Sequence, residues 1–401
     1  MNKKSVLSFL LVASLVSFTI MPTYGAIGPG LSASPAPEGM SQEKWEQLND
    51  QVIDFNELPD LVRYFNPEVQ NVTDKVNDSI GNAQYIHDEL RRYISDLKDD
   101  ADALKDSGAT DSMQGMQQYI ILKMTVKAMK TGAETLKRNL DLLNRPNSSA
   151  NSNITLAAKS YTYYANQIMI GYNSAVANRT LMQKVLETSL AASEARALSY
   201  QVGMATEADL LAAQKDVLSA QSLLLKLDNT IDNLQHSLCL MTGYSVDNPP
   251  VIGELPVFDF EAISAIDLEA DTAIAIGNNY NLITERHTDS NKSSTSIKNK
   301  DARVSEGEQN IAITMQSFYQ SLLNSRNAYD TSCTAYEKAI LEKRKADRAN
   351  QLGMLSKINY LQAQMALLRA ESEKQSAYIS LYQAFDTYQW AVKGIIMNSG
   401  Q

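Results

Sequence analysis

Gln201-Val202-Gly203-Met204-Ala205-Thr206 recurs 150 residues later as Gln351-Leu352-Gly353-Met354-Leu355-Ser356. Carried on to Ala220 and Ala370, the two stretches share 8 identities in 20 ungapped positions, among them Gly203/353, Met204/354, Leu211/361, Gln214/364 and Leu218/368. An internal repeat sets the architecture and is read before anything else. In each copy a glycine suited to the left-handed backbone closes an incoming helix. Three residues on, Thr206 or Ser356 stands where it can N-cap an outgoing helix, and in the first copy Asp209 completes a variant of the capping box. The unit is a helical hairpin, and the chain holds two. Accidental glycines would not share a glycine-to-cap spacing.

Beyond each turn the apolar residues keep a seven-residue period. From Glu207 to Met241, one row is Leu210, Val217, Leu224, Ile231 and Leu238, and the other is Ala213, Ala220, Leu227, Leu234 and Met241. These are the a and d positions of five heptads. In the second copy alanine takes every d position (Ala363, Ala370, Ala377, Ala384, Ala391), which lets two helices approach closely. Its a positions, Tyr360, Leu367, Lys374, Leu381 and Tyr388, are less apolar. About 50 residues separate a Ser/Asn-rich tract from each glycine, enough for helices on the order of 75 Å long.

With 17 Gly and 10 Pro in 401 residues, mostly clustered, the chain reads as elongated helices and not as a compact globule. Lys3-Lys4, the apolar run 5–21 and Thr23-Tyr24-Gly25-Ala26 have the form of a secretory signal peptide over 1–25. A Gly/Pro-rich leader follows over 26–50, then a first helical repeat with an extra helical pair (51–245), a linker (246–270) and a second helical repeat (271–396). Within these, helices are expected over about 68–105, 113–144, 154–202, 271–286 and 302–352, separated by the loop 106–116 and the polar tracts 145–153 and 287–301. Short extended pieces such as Val257-Phe258-Asp259-Phe260 are expected in the linker. The formal net charge is −10, and it argues against binding nucleic acid or anionic lipid. Two cysteines, Cys239 and Cys333, make no disulfide framework, and three scattered histidines make no metal site. No nucleophile, nucleotide or cofactor motif is present, so an enzyme is the poorest reading.

On Tyr200 to Thr206 with Asp209-Leu210 and Ala213, on Leu234 to Gly243, and on the second copy from Leu352 to Ala363 with Ala391-Val392-Lys393-Gly394, the sequence resembles the TolC-type outer-membrane efflux protein family. Leu58 to Asn66-Pro67 adds to the likeness. The resemblance implies an all-α protomer of two pseudo-repeated coiled-coil hairpins, assembled as a homotrimer around a hollow α-barrel. It implies an exit duct of a tripartite export system in the cell envelope. The partners would be an adaptor (membrane fusion) protein docked at the tip and an inner-membrane ABC, RND or MFS transporter, with no cofactor. The docking tip would comprise Val202, Gly203, Met204, Thr206, Leu352, Gly353, Met354 and Ser356. For the two methionines, packing within the tip is as good a reading as contact with an adaptor.

The sequence also departs from that family. Neither polar tract offers the 9–11 alternating residues that a membrane-spanning strand needs, so the β-barrel is expected to be missing and the duct would then cross a cell wall or end at the surface. Family members close the tip with an Asp bonded to an Arg and narrow the lumen with two acids. The corresponding positions here are Asp209, Leu355, Asn359 and Gln362, a possible pore constriction without the salt bridge or the acidic ring. The alternative reading, from another functional class, is an exported coiled-coil scaffold or surface-interaction protein with no transport activity.

Overall fold

The computed structural model describes residues 29, 36–37, 40–108, 113–145, 148–287 and 293–396. The signal-like segment, most of the leader, part of the 106–116 loop and parts of both polar tracts (146–147 and 288–292) lie outside the described residues.

The chain is almost wholly helical. α1 (Gln42–Leu48), β1 (Val52–Ile53), a 3₁₀ turn (Phe55–Glu57) and α2 (Leu58–Phe65) lead to α3 (Pro67–Asp106) and α4 (Met113–Leu143). α5 (Ser149–Gln201) and α6 (Glu207–Thr242) make the first long hairpin. β2 (Val251–Ile252), α7 (Glu261–Ser264), α8 (Leu268–Asn278) and α9 (Tyr280–His287) follow, and α10 (Ser294–Gln351) with α11 (Lys357–Val392) makes the second. At 1.5 Å per residue, α5 and α10, of 53 and 58 residues, are about 80 and 87 Å long.

Three sequence expectations need correcting. The long helices begin at Ser149 and Ser294, earlier than the expected 154 and 302. The Oγ atoms of Ser148 and Ser293 accept from the amides of Asn151 and Ser296, both at 3.2 Å, so the Ser-rich runs are caps and first turns. The helix expected over 271–286 is two helices, because Asn279 takes an extended backbone (ψ 117°) and its side chain caps Leu282 at 3.1 Å. Val257 to Phe260 pairs with nothing as a strand, whereas Val251–Ile252 pairs in parallel with Val52–Ile53. Among the described residues these two-residue strands are the only β-structure, so none of the long strands of a transmembrane barrel is present there. No helix among the described residues is long and apolar enough to cross a membrane.

The seven-residue rows form the seams of both hairpins. Every a and d residue of α6 is buried or half-buried, Val217, Ala220 and Leu238 most deeply. In α11 the alanine row is buried or half-buried throughout, and polar a positions are accommodated by cation–π contacts from across the seam. Lys343 lies over the Tyr360 ring at 4.4 Å and Lys374 over the Tyr336 ring at 4.9 Å. A second heptad row on α11, with Leu361, Leu368 and Tyr382 buried, accompanies its packing against α5. Asp386 of α11 takes hydrogen bonds from Asn166 Nδ2 and Gln167 Nε2 of α5, both at 3.0 Å.

The repeat continues at the far ends of the hairpins. Asn66, N-cap of α3, donates to the carbonyl of Met241 at 2.9 Å, and Asn278, at the end of α8, donates to that of Val392 at 3.1 Å. Gly243 (φ 76°) and Gly394 (φ 88°) terminate α6 and α11 beside them. Around this waist the core gathers from distant segments, with Trp45, Leu48, Leu61, Val62, Leu238 and Tyr244 in one cluster and Phe258, Leu322, Leu381 and Tyr382 in another.

Two tests follow from this waist. A Cβ on Gly243 would lie 2.5 Å from the Phe65 carbonyl oxygen. Gly243→Ala combines that clash with left-handed strain and is expected to cost about 2–4 kcal/mol in urea unfolding. Burial raises the Asp386 pKa from its ordinary 3.8 to about 6. The folded state therefore holds this proton more tightly than the unfolded chain, so its contribution is favourable below pH 4 and is lost as pH rises to 6. Wild type should lose on the order of 2–3 kcal/mol over that window relative to Asp386→Asn, and parallel pH profiles for the two proteins would refute the assignment.

Candidate functional site: the two hairpin tips

Each tip is built by the end of one long helix and the start of the next. At the first, the amide of Met204 donates to the Ser199 carbonyl at 2.8 Å and that of Gly203 to the Tyr200 carbonyl at 3.0 Å. At the second, Met354 donates to Ala349 at 2.8 Å and Gly353 to Asn350 at 3.0 Å. These are Schellman-type closures, with Gly203 at φ 72° and Gly353 at φ 66°. The expected left-handed glycines are in place, and the two turns match bond for bond.

The caps differ. The Thr206 hydroxyl accepts from the Asp209 amide at 3.2 Å, and the Asp209 carboxylate accepts from the Thr206 amide at 2.9 Å, closing the capping box. Ser356 accepts from the Asn359 amide at 3.3 Å with no return bond. The Thr206 backbone and then its hydroxyl hold the Asp209 carboxyl below its usual range, with a smaller pull from Arg196. Asp209 is thus engaged locally as a helix cap.

Both tips lie at the same end of the molecule. Lys184 of α5 pairs with Glu371 of α11 at 3.8 Å; one lies about 19 residues before Gly203 and the other about 18 after Gly353, so the two arms are level. Their apolar residues stand in the open: Met204 is 82% exposed, Met354 77%, Leu352 72% and Val202 70%. A side chain on either glycine would meet nothing within 4 Å. Four large apolar side chains displayed on two level turns form a contact surface that this chain leaves uncovered.

Just behind the tips a groove of about 620 Å³ separates α5 and α6 from α11. Asp209 and Gln362 both line it, together with Arg196, Asp216, Arg369 and Glu373. Leu355 and Asn359 do not, so the four constriction candidates are not brought to one surface within a single chain. Arg196 was missed in the sequence. It stands seven residues before Gly203 while Asp209 stands six after, and this near-symmetry about the turn is the signal that would have placed both at one height.

No family model matches the chain, and no curated protein matches it. Among solved structures it is similar to the outer membrane channel CmeC of Campylobacter jejuni, at 13% identity over 92% of this chain and 95% of that one, with a TM-score of 0.46. It is similar also to the outer-membrane channel OprN (11% identity, 94% and 99%, TM-score 0.43). A third is the MtrE channel of Neisseria gonorrhoeae in its open state (14%, 85% and 89%, TM-score 0.36). Likenesses of this strength carry no argument about function, which rests on the residues described above.

The tip glycines should respond unlike those at the waist. With open space around them, Gly203→Ala and Gly353→Ala incur only backbone strain, about 1–2 kcal/mol each. Thr206→Ala, which opens the capping box, should cost about 1 kcal/mol. Thermal unfolding of the three variants beside Gly243→Ala tests the ranking, and equal losses at Gly203 and Gly243 would contradict it.

Proposed function

We propose that this protein is the exit-duct component of an export system, a homotrimeric α-helical conduit of the cell envelope that docks an adaptor (membrane fusion) protein through its two hairpin tips. The observation that carries the reading is the pair of level, bond-for-bond equivalent turns presenting Val202, Met204, Leu352 and Met354 to solvent. A repeated apolar signature at the ends of long coiled coils suits a partner that is itself a helical hairpin and meets each tip in the same way. Thr206 and Ser356 fix where the outgoing helices begin, and Gly203 and Gly353 keep the turns tight. The transporter behind the adaptor would be of the ABC, RND or MFS kind.

In this reading three copies place their grooves around one axis, with Asp209 and Gln362 on the groove surface, Asn359 level with Asp209 but off that surface, and Leu355 within the turn. Because Asp209 is already bonded to Thr206, closure of such a pore would rest on the packing of the turns and not on an interchain ion pair. The scaffold reading keeps the same hairpins without a lumen.

Replacing Met204 and Met354 together with Lys should weaken binding to a cognate adaptor at least tenfold while leaving the helical circular dichroism unchanged. Undiminished binding would remove the docking role. Native mass measurement of the mature protein, with and without detergent, should give three copies, or a pair of such trimers, of the 44.3 kDa chain less its signal peptide, and a stable monomer or dimer would favour the scaffold.

A further inference from the structure

α3 and α4 form a third hairpin with no counterpart in the second half, where α9 ends at His287 and α10 starts at Ser294. Its seam is a pair of heptad rows: Val76, Ala83, His87, Leu90, Ile94, Leu97, Ala101 and Leu104 on α3 meet Tyr119, Leu122, Val126, Met129, Ala133, Leu136, Leu140 and Leu143 on α4, and all are buried or half-buried. α4 has 31 residues, so this mast is about 46 Å long. It begins at the waist, where Asn66 binds Met241, and α5 runs from its base toward the tips. The mast therefore points away from them.

The outer surface of the mast is patterned along its length. On α3, Tyr85, Ile86 and Tyr93 are 65%, 48% and 61% exposed around the Glu89–Arg92 ion pair. Nearer the free end comes an acidic stretch, Asp96, Asp99, Asp100, Asp102 and Asp106, against Lys98 and Lys105. On α4, Met116, Ile120, Ile121 and Met124 are exposed near the free end. Toward the base comes a basic stretch, Lys127, Lys130, Lys137 and Arg138, against Glu134 alone.

Counted from the middle of the connecting loop, the apolar group of α4 is centred about 10 residues down the mast and that of α3 about 22. The acidic stretch is centred about 9 residues down and the basic stretch about 23. Two masts laid side by side in the same direction and at equal height, as a closed ring requires, would set apolar against acidic. Two masts laid antiparallel, overlapping by about 31 residues, set apolar against apolar and acid against base in one register to within about 2 residues. That overlap is the full length of α4.

We propose that the mast is a self-association surface, pairing antiparallel with the mast of a second copy of this chain about a two-fold axis. Ile120, Ile121 and Met124 of one copy cover Tyr85, Ile86 and Tyr93 of the other, and the Asp96–Asp106 stretch faces Lys127–Arg138. The pairing is independent of how the body assembles; on a three-fold body it joins two trimers end to end, tips outward. The same acids that complement a second mast would repel an anionic membrane, which disfavours lipid as the occupant.

The test is disulfide capture with full-length mature protein carrying Cys239→Ala and Cys333→Ala. Ile86 and Ile120 of one chain lie about 21 Å apart in height, beyond the reach of a disulfide, so a bond between them reports two copies. Mixing Ile86→Cys protein with Ile120→Cys protein should give a covalent dimer at least tenfold above either alone. Lys127→Glu/Lys130→Glu, or Asp99→Lys/Asp102→Lys, should each lower that yield at least tenfold, and mixing proteins so that a reversed acidic stretch meets a reversed basic stretch should recover at least half of it.

A dominant bond between Asp100→Cys and Ile120→Cys proteins, which lie at equal height, would overturn the antiparallel register. So would the absence of any mast cross-link. Cosedimentation with phosphatidylglycerol vesicles that is abolished by Ile120→Ser/Ile121→Ser, without cross-linking, would assign the patch to lipid and overturn the proposal. Trimer mass is read on the Lys127→Glu/Lys130→Glu protein, in which the masts do not pair, so failure of the mast pairing and failure of the duct on which it does not depend are told apart.

Discussion

A helix of more than 50 residues is not held by its own hydrogen bonds; an isolated helix in water is marginal, and its stability in a protein comes from the stripe that it buries. Each long helix here meets this constraint with an unbroken row of contacts every seven residues, at about 0.8 kcal/mol for each buried methylene. α6 supplies Leu, Val and Ile with Ala at the close approaches. α11 supplies Ala on one row and a second row toward α5, so it is gripped from two sides. Where Lys and Tyr interrupt the α10–α11 seam, their charges and rings meet across it and the row is not broken.

Four glycines end the four arms of the hairpins with nearly the same backbone conformation, and their surroundings divide them into two kinds. Gly243 and Gly394 are pressed against the backbone of Phe65 and Asn278. They are glycine for two reasons, a left-handed turn and a close approach, and both reasons are structural. Gly203 and Gly353 meet nothing, so only the turn requires them, and the apolar residues beside them are not used by this chain. The same residue type at equivalent places therefore marks the closed end and the contact end of one repeat.

Periodicity and turn chemistry are local, and what they govern was legible in the sequence: both hairpins, their heptad rows, the tip glycines and the caps at Thr206 and Ser356. The starts of α5 and α10 were misplaced because Ser and Asn serve equally as loop residues and as N-caps, and composition does not separate the two uses. The break at Asn279 was signalled by Gly277-Asn278-Asn279, a helix-ending composition between two apolar runs that was read through. The strands β1 and β2 are two residues each and have no period to read. The waist was out of reach for a different reason: its core joins Trp45 to Leu238 and Phe258 to Leu381, contacts that only the assembled topology creates. Arg196 was missed because resemblance directed attention to the turn at Leu355 when the nearby cation is on the incoming helix.

The mast shows how a repeat acquires asymmetry without losing its fold. α2, α5 and α6 have counterparts in α8, α10 and α11, and α9 stands where α3 begins, so the mast is an elongation of one short helix plus a return helix. Its seam closes on itself, with the buried His87 set against small Ala133 at the same level, and α4 makes few contacts with α5. Only its base, where Val69 joins the waist core, is shared with the hairpins. A paired helical extension beyond that base, present once per chain and patterned along its outside, is explained by what lies beyond its own chain. Contacts made by the repeated body come in twos, whereas a contact made by the mast comes singly for each protomer, and a two-fold axis through paired masts is the simplest closed arrangement that such a single contact can form.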